Sequence, residues 1–368
     1  MKIAVVSPRN KSVFNFRGDL IRNMVASGHE VIVTGPNREY VDDIFELGVS
    51  EFIEVPFVKD NTSLKGDLSY LNALKAIFKD RKPDIVFCYT IKPVIYGSIA
   101  ASKAKVPRKC AMVTGLGRIY SSNGLKVKVI RMITKLLYQR AFSACDKVIF
   151  QNSDDLKQMT GQHYLPKEKV VLVDGSGVNM ERFFRADLPE NPVFLMVSRI
   201  IREKGVMEYC EAARIVKRKY ANARFVLLGG LDNSIGAIKK EDLQSYIDDG
   251  SIEFPGEVKD PVSYYHQSSV FVLPSYYREG LPRTILEAMS CGRPVITTDW
   301  PGCREPITDG ENGFLVPVKD AQTLAEKMEI LLSDRRKLET MADAAYQRCK
   351  AQYEVDIVNR KMKEYIGY

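Results

Sequence analysis

Four ionisable side chains in two short stretches could act on a single anionic ligand. In YYREGLPRTILEAMSCGRPVI, residues 276–296, Glu279 and Glu287 interrupt an otherwise apolar run. In MVSRIIREKGVMEY, residues 196–209, Arg199 and Lys204 follow an apolar run and precede Gly205. Two fixed cations at the carboxyl end of a strand suit a diphosphate that must be neutralised as it leaves. Pro282 fits the first turn of a helix, where its missing N–H is no loss, and Gly292 fits a helix end. A helix is therefore expected from about residue 282 to just before 292. The amides of Gly280, Leu281, Arg283 and Thr284 around Pro282, with the helix dipole behind them, would hold a diphosphate. Glu279 would then sit just outside the helix, with Glu287 roughly 7–8 Å along it from Pro282. Both are badly placed for phosphate and well placed for sugar hydroxyls on either side of it. The competing reading makes Glu279 an ordinary first-turn acid, Glu287 a solvated helix position, and Arg199 and Lys204 surface loop charges.

The elements that must position these residues read as two doubly wound parallel sheets. Short continuous apolar runs mark strands buried on both faces. The first half has 3–6, 31–33, 85–87 and 148–150; the second has 193–197, 225–228, 270–273 and 295–296. Such sheets bind ligands at the carboxyl ends of their strands, and a cleft between the two would be the natural site. The polar, proline-bearing stretch RADLPENP places the domain break after Arg185, giving domains 1–185 and 186–351. The segment 352–368 spaces Tyr353, Ile357, Val358, Met362, Tyr365 and Ile366 as a helix expected to pack back on the first domain. Turns at Gly229 and at Gly256–Val258 offer close backbone approach for a nucleotide base. In the first half Arg17, Thr90, Lys92, Thr114, Gly115, Gly117 and Arg118 follow strands or open helices, and could line the opposite wall. The first strand is not followed by G-x-G-x-x-G, which argues against a nicotinamide or flavin enzyme.

The chain has 368 residues, 45% hydrophobic and 27% charged, the composition of a folded two-domain protein. Its net charge of +8 is unevenly spread. Residues 1–185 hold 29 Lys/Arg against 18 Asp/Glu, the remainder 25 against 28, and no acid lies between Asp84 and Asp146. In that span GLKVKVIRMITKLLYQRAF puts Val129, Ile130, Ile133, Leu136 and Leu137 on one helical stripe beside Lys128, Arg131 and Lys135. Such a helix suits an anionic membrane surface, reached through the basic segment 103–140. A core-facing helix with snorkelling lysines is the other reading. No nucleic-acid recognition module is present. Seven scattered cysteines without C-x-x-C and three dispersed histidines give no disulfide framework and no metal site. Without an apolar run long enough to span a bilayer and without a secretion signal, a cytoplasmic location is expected.

Taken together, S-R-(x)4-K-G, G-E-V, E-G-L-P-R-(x)3-E-A-M-S-C-G-R-P-V-I and PGCREPITDGENGFLVP resemble the retaining glycosyltransferases of family 4, which have the two-domain GT-B fold. VFNFR, YTIKPVIYGSIAA, VTGLGRIYSS and KVIFQNSDD are similar to the branch that builds capsule, O-antigen and bacterial glycans. The resemblance implies a nucleotide-sugar donor, with UDP expected, and a polyprenyl-diphosphate-linked sugar acceptor at the inner face of the plasma membrane. It makes Glu279 the first acid of an E-x7-E motif, contacting the donor sugar, and Glu287 the second, on the ribose hydroxyls. Arg199 and Lys204 would hold the diphosphate, helped by the amides of Gly280, Leu281 and Thr284, with no metal or other cofactor. The chain departs from the family where Lys11-Ser12-Val13 replaces a glycine pair in the first loop. It departs again at Thr114–Gly115, where many members carry a histidine after the fourth strand of the first domain. A sugar-nucleotide epimerase or hydrolase of the same fold, working without an acceptor, is the alternative.

Overall fold

A computed structural model describes residues 1–57, 64–117, 125–161, 165, 167–231 and 236–368. They form two compact units, Met1–Ser176 with Val355–Tyr368, and Gly177–Glu354.

The first unit is built on a seven-stranded sheet of order β3-β2-β1-β4-β5-β6-β7. Its strands are β1 Lys2–Val6, β2 Glu30–Gly35, β3 Glu51–Glu54, β4 Ile85–Tyr89, β5 Arg108–Val113, β6 Lys147–Phe150 and β7 Val170–Leu172, each parallel to its neighbour. Helices α1 Asn10–Ala26, α2 Val41–Phe45, α3 Leu64–Arg81, α4 Ser98–Lys103, α5 Leu125–Ala144 and α6 Ser153–Gly161 connect them. Separate cores lie on the two faces of the sheet, one around Val6, Val86 and Phe142, the other around Val5, Ile21 and Phe87. A sheet covered on both faces has apolar residues at successive strand positions, hence continuous runs rather than alternation.

The second unit has a six-stranded sheet, β10-β9-β8-β11-β12-β13. Its strands are β8 Val193–Val197, β9 Arg224–Leu228, β10 Glu253–Gly256, β11 Val270–Leu273, β12 Val295–Thr298 and β13 Gly313–Val316, again parallel. Helices α7 Val206–Lys217, α8 Lys240–Asp248, α9 Val262–Gln267, α10 Arg283–Ser290, α11 Ala321–Ser333 and α12 Arg335–Arg348 pack around it.

Two expected boundaries shift. The units divide at Ser176, not after Arg185, because residues 177–185 are held by the second unit. Val178 donates to the Tyr353 carbonyl at 2.9 Å, Phe183 is buried in the second core, and Arg185 Nη1 binds Asp343 at 2.8 Å. At the far end Tyr353 is buried in the second core, and the last helix, α13 Val355–Ile366, begins only after Glu354. Val358, Met362 and Ile366 of α13 are buried in the first unit, and Arg108 Nη2 donates to the Tyr365 carbonyl at 3.0 Å. Thr114–Gly117 follow the fifth strand rather than the fourth, since the charged segment Glu51–Glu54 is also a strand.

Candidate active site

In the second unit the loops after β8 and β11 are locked together at the carboxyl ends of adjacent strands. The amides of Tyr276 and Tyr277 both donate to the Glu203 carbonyl, at 2.8 and 2.9 Å. Gly205 opens α7 in the left-handed region at φ 77°, and a Cβ there would lie 2.1 Å from the Pro274 carbonyl oxygen. Only glycine supplies both the conformation and the clearance. This packing brings Lys204 onto Glu279: its Nζ is hydrogen-bonded to Glu279 Oε1, which Ser275 Oγ also approaches at 3.4 Å. The two side chains are only 11% and 19% exposed, so neither is a solvated surface charge. Tyr277 lies against both cations, its ring centroid 5.6 Å from the Arg199 guanidinium carbon and 6.0 Å from Lys204 Nζ. A ring face so placed attracts cations by about 0.5–2 kcal/mol and aligns them. Three of the four expected groups thus meet at one place, around an aromatic residue that the spacing of charges did not single out.

The helix that bears the fourth is α10. Pro282 occupies the N-cap position with extended backbone, φ −64° and ψ 117°, one residue before the helix rather than within its first turn. Its far end closes as a Schellman motif. Gly292, at φ 76°, donates to Met289 O at 3.0 Å, and Arg293 N donates to Ala288 O at 2.9 Å. Gly280 and Leu281 are buried and Thr284 is half-buried at the start of the helix. Glu287 is not a solvated helix position. Its side chain is 13% exposed, Arg283 Nε lies 3.3 Å from Oε1, and the Tyr265 hydroxyl donates to Oε2 at 2.9 Å. Burial pushes the Glu287 carboxyl above the usual glutamate range, opposed by Arg283 and then by Tyr265.

Behind this site are residues that carry no signal in the spacing of charges. Gly302 stands at φ 85°, and a Cβ there would come within 2.6 Å of the Gly280 carbonyl oxygen and 2.7 Å of that of Glu279. Arg293 is fully buried and donates to the carbonyls of Tyr265, Ala186, Asp187 and His266 at 2.8–3.0 Å. It fastens the entry segment of the second unit to α9, and burial lowers its pKa to about 10. Gly229, at φ 156°, would place a Cβ 1.8 Å from the Ser198 carbonyl oxygen, and its amide donates to Gly256 O at 3.0 Å. Gly256, at φ 85°, and half-buried Val258 follow at the end of β10. The backbone turns expected to receive a base therefore adjoin the Arg199 loop.

The acceptor-side candidates fall in the first unit. Arg17 is buried on α1 with its guanidinium carbon 5.1 Å from the centre of the Tyr89 ring, at the end of β4. The Tyr89 hydroxyl bonds Ser7 Oγ at 2.8 Å and Ser12 Oγ at 3.0 Å; Lys11-Ser12-Val13, expected in the first loop, lie in the first turn of α1, and Ser12 ties that helix to β4. Lys92 pairs with Asp67 at 2.8 Å, and the Tyr96 hydroxyl donates to the other Asp67 oxygen at 2.8 Å. Thr90, between β4 and Lys92, is held at φ 69°, an uncommon conformation for a β-branched residue. Thr114 and Gly115 are half-buried after β5, and the amide of Leu116 beside them is held by the buried Asp155 at 3.2 Å. Arg118 lies outside the described residues. Among the described residues no group of three or more His, Cys, Asp or Glu could hold a metal ion.

The apolar stripe expected on α5 is partly re-sorted. Val129, Ile130, Met132, Ile133 and Leu136 face solvent, Leu136 at 62% exposure, whereas Leu137 packs on the core with Tyr138, Ala141 and Phe142 on the opposite side. No helix among the described residues is long and apolar enough to cross a membrane.

Two doubly wound parallel-sheet units, with an acid–cation cluster at the strand ends of the second, are the architecture of the GT-B fold. Residues 180–348 match the glycosyl transferases group 1 family, and residues 2–152 the glycosyl transferase 4-like family. The chain is 30% identical to the N,N'-diacetylbacillosaminyl-diphospho-undecaprenol alpha-1,3-N-acetylgalactosaminyltransferase of Campylobacter jejuni, over 99% of this chain and 98% of that one. It is 29% identical to the capsular polysaccharide biosynthesis glycosyltransferase CapM of Staphylococcus aureus, over 95% and 92%. In fold it is similar to sucrose-phosphate synthase from Thermosynechococcus elongatus, with TM-score 0.82, 19% identity and 99% and 98% of the chains covered. It is similarly close to Anabaena HepE in complex with UDP, with TM-score 0.79, 18% identity and both chains fully covered. The chain belongs to the family 4 glycosyltransferases.

Proposed function

We propose that this enzyme moves a hexose or N-acetylhexosamine from a UDP-sugar to a polyprenyl-diphosphate-linked sugar, with retention of configuration. The reading is supported by the Lys204–Glu279 contact beside Arg199, which puts one acid and two cations on one spot. Arg199, Lys204 and the amides of Gly280, Leu281 and Thr284 would neutralise the donor diphosphate, Glu279 would take the donor sugar's hydroxyls, and Glu287 the ribose hydroxyls. The acceptor hydroxyl attacks the anomeric carbon on the face from which the diphosphate departs, the glycosidic C–O bond to phosphate breaks, and the leaving phosphate oxygen takes the acceptor's proton. Positive charge aimed at that oxygen is worth most as the bond breaks. The two cations and the helix N-terminus supply it, so transfer is expected to persist in EDTA.

The acceptor choice is supported by the Campylobacter relative and by a similar Escherichia coli UDP-Gal:alpha-D-GlcNAc-diphosphoundecaprenol alpha-1,3-galactosyltransferase, 28% identical over 82% of this chain and 79% of that one. Arg17, Lys92 and Thr114–Gly115 of the first unit are the proposed acceptor side. The exposed apolar ridge of α5, with Lys128, Arg131 and Lys135 beside it, is the proposed contact with the anionic inner leaflet, where the acceptor resides. The test is to incubate the enzyme with radiolabelled UDP-GalNAc, UDP-Gal, UDP-GlcNAc or UDP-Glc, with and without undecaprenyl-diphosphate-GlcNAc. Label extracted into organic solvent only when the lipid is present supports transfer. A changed or hydrolysed sugar nucleotide without lipid would support an epimerase or hydrolase instead.

A further inference from the structure

Glu287 does not hold its own orientation. Its Oε2 accepts the hydroxyl of Tyr265 at 2.9 Å, and its Oε1 faces Arg283, one turn earlier on α10. Tyr265 comes from another helix, α9, and is fully buried. Its ring is set against Phe183 and Phe271, with centroids 5.9 and 5.8 Å away. Its backbone carbonyl is fixed by Arg293 Nε at 2.9 Å, so both ends of the residue are anchored. A glutamate on an eight-residue helix has three side-chain torsions to lose when it binds a ligand, and a donor fixed from outside the helix removes that freedom beforehand. A carboxylate offers about four lone-pair directions. Tyr265 takes one on Oε2 and Arg283 lies toward Oε1, which sets the plane of the carboxylate and leaves directions open to hydroxyl donors.

We propose that Tyr265 is a positioning residue for donor recognition: through Glu287 it presents a preset carboxylate to the two ribose hydroxyls of the nucleotide. The proposal rests on the reading that Glu287 holds the ribose, so its test separates the two. UDP and 2′,3′-dideoxy-UDP, which lacks both hydroxyls, are titrated calorimetrically into the wild type, Glu287→Ala, Tyr265→Phe and the double variant, with melting curves for each. Wild type is expected to prefer UDP, and Glu287→Ala to lose the preference. Tyr265→Phe keeps the ring and removes one hydroxyl; it is expected to weaken UDP binding about 2- to 12-fold, the cost of immobilising one side chain on binding, while leaving dideoxy-UDP binding unchanged. In the Glu287→Ala background the same change should add nothing further. If Tyr265→Phe weakens both ligands equally, or neither, while Glu287→Ala erases the preference, the positioning role is overturned and the ribose reading stands. If Glu287→Ala keeps the preference for UDP, the ribose reading fails and the proposal falls with it.

Discussion

A carboxylate kept in a largely buried place for binding works against stability, and Glu287 is such a group. Burial raises its pKa above that of the unfolded chain, so the folded state holds the proton more tightly. The stabilisation from this group is full below the unfolded pKa and is lost as pH rises through the folded one. At pH 8 the ionised Glu287 therefore lowers stability. Glu287→Gln, which resembles the neutral acid, is expected to melt above the wild type at pH 8 and to lose that lead near pH 4, while binding UDP more weakly. Differential scanning fluorimetry across the pH range checks it; a lower melting temperature than wild type at pH 8 would contradict the argument. Lys204 and Glu279 follow a different logic. Each supplies the other's counter-charge in the same partly buried place, and a donor diphosphate and sugar would take over those roles together.

Loop shape decides where those charges point. A Cβ at Gly302 would clash with the carbonyls of Glu279 and Gly280, and its φ lies in the left-handed region. Gly302→Ala should displace the Glu279 loop, lower kcat about 10- to 100-fold and destabilise by about 1–2 kcal/mol. Steady-state kinetics and denaturant melts measure both. On helix α5, Met132→Glu with Leu136→Glu puts two acids on the exposed ridge. These positions are already in solvent, so the melting temperature should change little while sedimentation with phosphatidylglycerol vesicles is lost. Retained sedimentation would show that this ridge is not the contact. Elements of this kind were unevenly legible in the sequence. Central strands announced themselves as apolar runs because both faces are covered. Edge strands β3, Glu51–Glu54, and β7, Val170–Leu172, did not, being charged or very short, and β5 was hidden by its basic start at Arg108 and Lys109. Glu279, Arg199 and Lys204 stood out as charges at the ends of apolar runs. Tyr265, Tyr277, Arg293 and Gly302 did not, since each acts through a contact with a residue distant in the chain. Leu137 belongs to the core side of α5 and not to the exposed stripe: the helix is apolar on two sides, and periodicity alone does not say which of them meets the core.

At the scale of the whole chain, the polypeptide leaves the first unit at Ser176 and returns to it at Val355. Helix α13 buries Val358, Met362 and Ile366 in the first unit, and each such side chain contributes roughly 1.5–3 kcal/mol. A chain ending at Glu354 should therefore leave the first unit readily cleaved in limited proteolysis while the second unit resists; equal resistance of both would contradict this. With a basic first half of the chain, binding to anionic vesicles should weaken as salt shortens the Debye length to about 8 Å at physiological ionic strength. Glu279 and Arg199 are proposed to serve sugar transfer rather than folding. The direct test is transfer of label from UDP-sugar to undecaprenyl-diphosphate-GlcNAc by Glu279→Ala and Arg199→Ala, each compared with wild type after melting curves establish that the fold is intact. Both variants are expected to fold, with transfer lowered at least about 100-fold. Wild-type transfer rates in both folded variants would contradict it.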